Sequence, residues 1–224
     1  MSYLSVIYED NHILVVNKPA GLLVQGDQTG DESLIDVAKR YIKDKYKKPG
    51  DVFLGLVHRL DRPTTGVVVL ARTSKALTRL NQQFKDRVTK KMYRAVVSGN
   101  PEPSARLEHY LRKNTSQNKS FSYPKNTPNS KLAILSYRYI QKLKSYHVLE
   151  VELETGRHHQ IRAQLAAAGL YIKGDLKYGA KRPNPNGSIH LHARSLLFVH
   201  PTKIKEMKFI SPYPDDVIWN ALTD

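Results

Sequence analysis

One stretch constrains this chain more than any other: His58-Arg59-Leu60-Asp61-Arg62-Pro63-Thr64-Thr65-Gly66, which runs straight into Val67-Val68-Val69-Leu70-Ala71. An unbroken apolar run of this kind reads as a buried strand. A carboxylate between two arginines at the mouth of such a strand is an unusual placement, because a charge taken out of water must be paired. The neighbouring arginines favour the ionised form of Asp61, which makes it available as a nucleophile or base. Pro63 fixes its own φ and restricts Arg62, while Gly66 lets the backbone pass where a side chain would block it. Taken alone, the same residues also suit a surface cluster of ion pairs.

Around this stretch the chain alternates β-branched runs with amphipathic segments. Residues 4–8 and 12–16 predict two strands joined by Glu9-Asp10-Asn11, and Asn17-Lys18-Pro19-Ala20-Gly21 then breaks the pattern. Leu34, Val37, Ala38, Tyr41 and Ile42 recur at helical spacing, which predicts a helix over 33–47 with Asp31 or Ser33 as N-cap. Strands are expected over 53–60 and 67–71, followed by a helix capped by Thr73 or Ser74 with Ala76, Leu77, Leu80 and Phe84 on one face. Residues 90–99 read as a strand ending in a glycine turn. The Pro-, Ser-, Asn- and Lys-rich residues 100–130 predict hairpins with mobile tips. Beyond them, 131–141 and 146–154 read as strands, 163–168 as a short Ala-rich helix closed by Gly169, and 215–222 as a last helix.

At 224 residues the chain can bury a sizeable core, and a single domain over 1–224 is the simplest expectation. Lys and Arg total 36 against 20 Asp and Glu, a net charge of +16 that suits a polyanionic partner. Aromatic residues interleave with the basic ones, as in Tyr137-Arg138-Tyr139, which favours nucleic acid over a lipid surface. With no cysteine, disulfides and thiolate metal sites are excluded. The adjacent His158 and His159 invite a metal, but neighbours on a helix face different directions and no acidic partner stands at ligand spacing, so no metal is expected. No signal peptide and no run of membrane-spanning length is legible, so a cytoplasmic protein is expected.

Several motifs together resemble the RluA-type family of RNA pseudouridine synthases. His58-Arg59-Leu60-Asp61-Arg62-x-Thr64-Thr65-Gly66 resembles its signature, with Thr65 where the family usually has Ser. Tyr8-Glu9-Asp10 and Val15-Val16-Asn17-Lys18-Pro19-Ala20-Gly21 match the opening of the family's catalytic domain. Lys91-x-Tyr93-x-Ala95-x-Val97-x-Gly99 matches a second segment position for position. Gly156-Arg157-x-His159-Gln160-Ile161-Arg162 matches a third, with His158 where Thr is usual. Lys173-Gly174-Asp175-x-x-Tyr178-Gly179 resembles a further loop, and the run from Leu191 to Pro201 the closing strand. Because the likeness begins almost at residue 1, the catalytic domain is expected without the S4-type RNA-binding module that many members carry.

The resemblance implies an α+β, pseudouridine synthase-like fold: a long mixed, mostly antiparallel sheet with flanking helices and a central basic cleft. It implies isomerisation of uridine to pseudouridine in structured RNA, ribosomal or transfer, with no cofactor. Asp61 would be the catalytic nucleophile, Arg162 its charge partner and Tyr93 the ring against the target base. Arg59 would fill the stack left by the extruded uridine, Arg62 and Arg157 would bind substrate, and Leu191 would form an apolar wall. RNA is the expected partner of a monomer that binds neither membrane nor metal. Two other classes compete: a non-catalytic RNA-binding module ordered by Asp61, and a hydrolase or nuclease pairing Asp61 with a histidine.

Overall fold

The computed structural model describes residues 4–27 and 30–222, which fall into two compact units. The first comprises 1–90 and 193–220, the second 91–192 and 221–224. It opens with β1 (Ser5–Glu9) and β2 (Ile13–Lys18), paired antiparallel across a turn that Asp10 closes by accepting from the main-chain N–H groups of His12 and Ile13. In α1 (Leu34–Lys45), Ser33 and Asp36 form a reciprocal capping box, satisfying N-terminal donors that the helix leaves open. After β3 (Gly55–Leu56) and β4 (Thr65–Ala71) comes α2 (Ser74–Lys85), with Thr73 accepting from the Ala76 N–H as N-cap.

β5 (Lys90–Ser98) carries the chain into the second unit, followed by β6 (Ser104–Asn114), β7 (Lys119–Tyr123), β8 (Lys131–Lys142) and β9 (His147–Leu153). Its strands run in the order β5-β9-β8-β6-β7, each pair antiparallel. α3 (Gln160–Ala167) packs on β6 and β7, and β10 (Tyr171–Ile172) pairs with β5. β11 (Leu191–Val199) returns the chain to the first unit at Ala193, where it lies beside β4 and pairs with β12 (Glu206–Ile210). This is the α+β arrangement with largely antiparallel strands that the resemblance implied.

In the first unit, Ile13 to Val16 of β2 and Val68 to Ala71 of β4 have no exposed surface. Leu34, Ala38, Ala76 and Leu80 of the two helices are just as fully buried. Burial on both faces accounts for the uninterrupted apolar runs. In the second unit, β9 alternates: Leu149 and Val151 are buried, Glu152 is exposed, and Glu150 is half-buried and paired with Arg94 and Arg138.

Three local expectations need correction. The strand expected over 53–60 is only Gly55–Leu56, which pairs with Ala71 and Leu70. Past it the side chain of His58 takes the place of a ladder carbonyl, its Nε2 accepting from the Val69 N–H at 3.1 Å. The helix expected over 215–222 is a single 3-10 turn, Trp219–Ala221. There the Asp216 carboxylate accepts from the N–H groups of Ile218 and Trp219, a local competitor of helical bonding. The helix expected over 163–168 begins earlier, at Gln160, so Arg162 stands in its first turn.

Gly66 is the position where a side chain is least tolerable. Its φ is +121°, and a Cβ built on it would stand 2.3 Å from the carbonyl oxygen and 2.6 Å from the nitrogen of Ala193 in β11. Gly66→Ala is therefore expected to destabilise the protein by about 2–3 kcal/mol, from backbone strain and overpacking together. A fall in the urea midpoint at unchanged slope would show it; an unchanged midpoint would contradict the close approach.

Candidate active site

Asp61 sits on a turn that main-chain and side-chain bonds tie to the segment 17–21. The Thr64 N–H donates to the Asp61 carbonyl at 3.0 Å, and the Gly21 N–H to the Arg62 carbonyl at 2.9 Å. Arg62 answers from its side chain, with Nε donating to the Gly21 carbonyl at 3.0 Å and Nη2 2.9 Å from Asp31. Leu60 anchors the turn, at 8% exposure, while Asp61 is half-buried and Arg59 exposed. Thr65, the departure from the family's Ser, is buried at the start of β4, so its extra methyl lies among core atoms.

Lys18 was not among the residues singled out, although it is wholly buried beneath this turn. Its Nζ donates to the carbonyls of Pro19 and Leu22, both at 2.8 Å, and of Arg62 at 3.2 Å. Burial pushes the Lys18 ammonium down to about 7, against the attraction of the Asp61 carboxylate. Three carbonyl acceptors use all three N–H donors of an ammonium, so the charged form is the one this geometry satisfies. The sequence signal for it was a lysine two residues past an unbroken apolar run, in the same strand. His58, meanwhile, stacks on Phe84 with ring centroids 4.9 Å apart and has its Nε2 occupied by Val69. That is a packing role, and it leaves this histidine a poor general base for the hydrolase reading.

The remaining sequence-derived site residues belong to the second unit. Tyr93 lies in β5 opposite Val151, with 8% of its surface exposed, and Leu191 opens β11 at 3%. Arg157 donates from Nε to the Leu132 carbonyl at 3.0 Å, and its N–H donates to the Gln160 side chain at 2.9 Å. Gln160 in turn accepts from the Thr155 hydroxyl at 2.8 Å, so the loop before α3 is cross-braced. Arg162 is 5% exposed and bound by both nitrogens to Asp175: Nε to Oδ2 at 2.7 Å and Nη2 to Oδ1 at 2.8 Å. Its guanidinium also lies 5.0 Å from the ring centroid of Tyr178.

Asp175 and Tyr178 thus take positioning roles that the motif alone did not assign. The signal for them was the pair of glycines around the loop. Gly174 and Gly179 both have positive φ, and a Cβ on Gly174 would meet the Asn184 side chain at 2.7 Å. Tyr178 also joins this loop to β7, because its hydroxyl accepts from the Ser120 N–H at 2.8 Å.

The two histidines correct the expectation that they face apart. His159 is not helical: it caps α3 in the left-handed region with φ 52°, and its ring stacks on that of His158 with centroids 3.8 Å apart. His158 makes contacts on both nitrogens, Nδ1 with the Ser120 hydroxyl at 2.9 Å and Nε2 with Asn118 at 3.1 Å. Among the described residues, no group of three or more His, Asp and Glu side chains has metal-binding geometry.

Burial, followed by the charge of Arg162, holds His159 far below the usual imidazole range, so it stays neutral beside the Tyr178 hydroxyl at 3.0 Å. The unfolded chain therefore binds a proton at this position below about pH 6.5 that the folded chain does not, and the native state loses stability as pH falls. Lowering the pH from about 7 to about 5 is expected to reduce the urea midpoint less in His159→Asn than in the parent. Asn tolerates the left-handed backbone, so the comparison isolates the titration; equal losses would remove His159 as the cause.

The profile of the family described as RNA pseudouridylate synthase matches residues 12–167, across the boundary between the units. Ribosomal large subunit pseudouridine synthase D of Zymomonas mobilis is 33% identical over 224 residues, covering 96% of this chain and 70% of that protein. The protein of the same name from Pseudomonas aeruginosa is also 33% identical, with the same coverage. Among solved structures, human RNA Pseudouridylate Synthase Domain Containing 4 superposes with a TM-score of 0.79 at 24% identity, over 96% of this chain and 90% of that one, which shows the shared fold. The chain belongs to the RNA pseudouridylate synthase family, in its RluA-type branch. Its reaction is the isomerisation of uridine to pseudouridine in RNA.

Proposed function

We propose that the enzyme acts on specific uridines of structured RNA, with Asp61, Arg162 and Tyr93 carrying the chemistry. The observation that bears most weight is the Asp61 turn: a half-buried carboxylate on a backbone braced by Lys18, Gly21 and Thr64, in a motif that resembles the family's signature but for Thr65 in place of Ser. Isomerisation breaks the bond from ribose C1′ to N1 of uracil, turns the ring and joins C1′ to C5. A proton leaves C5 and N1 gains one, so no redox partner or group donor is required. Asp61 serves as nucleophile towards the sugar or the base and is released when the new bond forms. In this reading Arg162 is the charge partner of Asp61, and Tyr93 packs on the uracil and assists loss of the C5 proton.

Extracting the uridine from a folded RNA costs a few kcal/mol. Arg59 is exposed at the rim of the turn, and its planar guanidinium suits the vacated stack. Arg62, Arg157 and Leu191 line the substrate in this reading, although both arginines also brace their own loops. A single catalytic domain over 1–224 is part of this reading, supported by a family match that spans 12–167, on both sides of the boundary between the units. The names of the relatives favour ribosomal RNA of the large subunit as substrate, with transfer RNA as second choice. A cytoplasmic monomer is part of this proposal; among the described residues no helix is long and apolar enough to cross a membrane.

The test is pseudouridine mapping by carbodiimide labelling and reverse-transcription stops, on total RNA from cells lacking this protein and from cells in which it is restored. Stops that vanish and return name the uridines and uphold the reading. If no stop changes in cells, and purified protein leaves bulk ribosomal and transfer RNA unmodified, the reading fails.

A further inference from the structure

The outer face of the β6–β7 hairpin carries rings and cations beyond those of the isomerisation site; Lys119 also reaches that site, its ammonium 5.1 Å from the Tyr178 ring centroid. Leu111 and Ser120 are buried, at 5% and 2% exposure, and so mark the inner face. Strand alternation then puts Tyr110 and Arg112 of β6, with Lys119, Phe121 and Tyr123 of β7, on the other. The register sets Tyr110 opposite Tyr123 and Arg112 opposite Phe121, so rings and cations are interleaved across one ribbon. The Arg112 guanidinium lies 5.1 Å from the Tyr123 ring centroid and donates to its hydroxyl at 2.7 Å; the Lys119 ammonium lies 5.6 Å from the Phe121 ring. Phe121 is 37% exposed at the wall of a groove of about 500 Å3 lined by Arg112, Lys113, Asn114, Phe121 and Tyr123.

The ribbon is held in place. At its tip, Lys177 donates to the carbonyls of Gln117 and Asn118, at 3.3 and 3.1 Å, and His158 contacts the Asn118 side chain. Just beyond the turn, where β7 begins, Tyr178 bonds both main-chain groups of Ser120. Rings on a rigid support lose little entropy when they take up a partner. The groove has three basic or amide residues and no carboxylate in its lining, in a chain of net charge +16, which complements a polyanion. Exposed rings beside cations are what unpaired nucleotides need, since every base has a face to stack and a phosphate to neutralise.

We propose that this face is a base-stacking platform for unpaired nucleotides of the substrate RNA, Phe121 and Tyr123 receiving bases while Arg112 and Lys119 meet phosphates. The proposal rests on the RNA-modifying role stated above and adds a subsite apart from the reacting uridine. Fluorescence anisotropy with a labelled oligouridylate, at several salt concentrations, tests it on the full chain. Phe121→Ala and Tyr123→Ala are each expected to weaken binding by about tenfold, with the dependence on salt unchanged. Arg112→Gln is expected to weaken binding and lower the salt slope by about one. On ribosomal RNA the double variant F121A/Y123A should raise KM and leave kcat near that of the parent.

Equal melting temperatures show that substitutions at exposed Arg112 and Phe121 and half-buried Tyr123 leave the fold intact. Binding by the folded double variant within about twofold of the parent overturns the platform. The two readings fail separately. A parent protein that modifies RNA while F121A/Y123A binds normally removes only the platform. Binding that is lost in the variants of a protein that modifies nothing upholds the platform and removes the proposed chemistry.

Discussion

Asp61→Asn is expected to reduce isomerisation by roughly 10⁴-fold or more while leaving affinity for RNA nearly unchanged. Asn matches the shape of Asp and cannot supply the ionised oxygen that the reaction requires. The turn itself should survive, because Asn keeps the main-chain bonds that brace it, from Thr64 to the Asp61 carbonyl and from Gly21 and the Lys18 ammonium to the Arg62 carbonyl. Tritium release from RNA labelled at C5 of uridine reads the chemistry, and filter binding reads the affinity. Retained tritium release would sink the assignment of Asp61. Lost binding with lost release would instead support a structural role for the carboxylate.

Asp175→Asn is expected to cost about 3–5 kcal/mol of stability, because it removes the buried carboxylate charge that the Arg162 guanidinium binds with two of its nitrogens. At about 2–4 °C per kcal/mol for a chain of this size, the melting temperature should drop by roughly 10 °C. Isomerisation should fall as well in the fraction that remains folded, since one of the two bonds that aim Arg162 is replaced by a donor facing a donor. A second variant separates the two effects. Replacing both partners by apolar residues, as Arg162→Met with Asp175→Leu, removes the uncompensated charge and should recover much of the stability without recovering activity. If that double variant is active, Arg162 has no part in the reaction.

Much of the local structure could be read before any coordinates. Asp31 or Ser33, and Thr73 or Ser74, announce the starts of α1 and α2, and the structure chooses Ser33 and Thr73 as the caps. The apolar runs at 13–16 and 67–71 announce strands buried on both faces, because no polar residue interrupts them. The matched motifs pointed to Asp61, Tyr93 and Arg162, and to the family that the comparisons bear out. Their roles in the reaction await the experiments above.

What the linear order concealed were partnerships between distant residues. Asp175 meets Arg162 only because the glycine-flanked loop carries it back to the first turn of α3. Lys18 looks like an ordinary surface lysine until the carbonyls of Pro19, Leu22 and Arg62 close around its ammonium. The strand expected over 53–60 stops short because His58 bonds the main chain of β4 in place of a carbonyl, and the final helix fails because Asp216 takes its first donors. Propensity, capping and periodicity act within a few residues and are therefore legible in the sequence by itself. Which charges are buried together, and which side chains displace backbone bonds, depends on free-energy terms that exist only once distant segments exclude water, and these were decided by the tertiary structure.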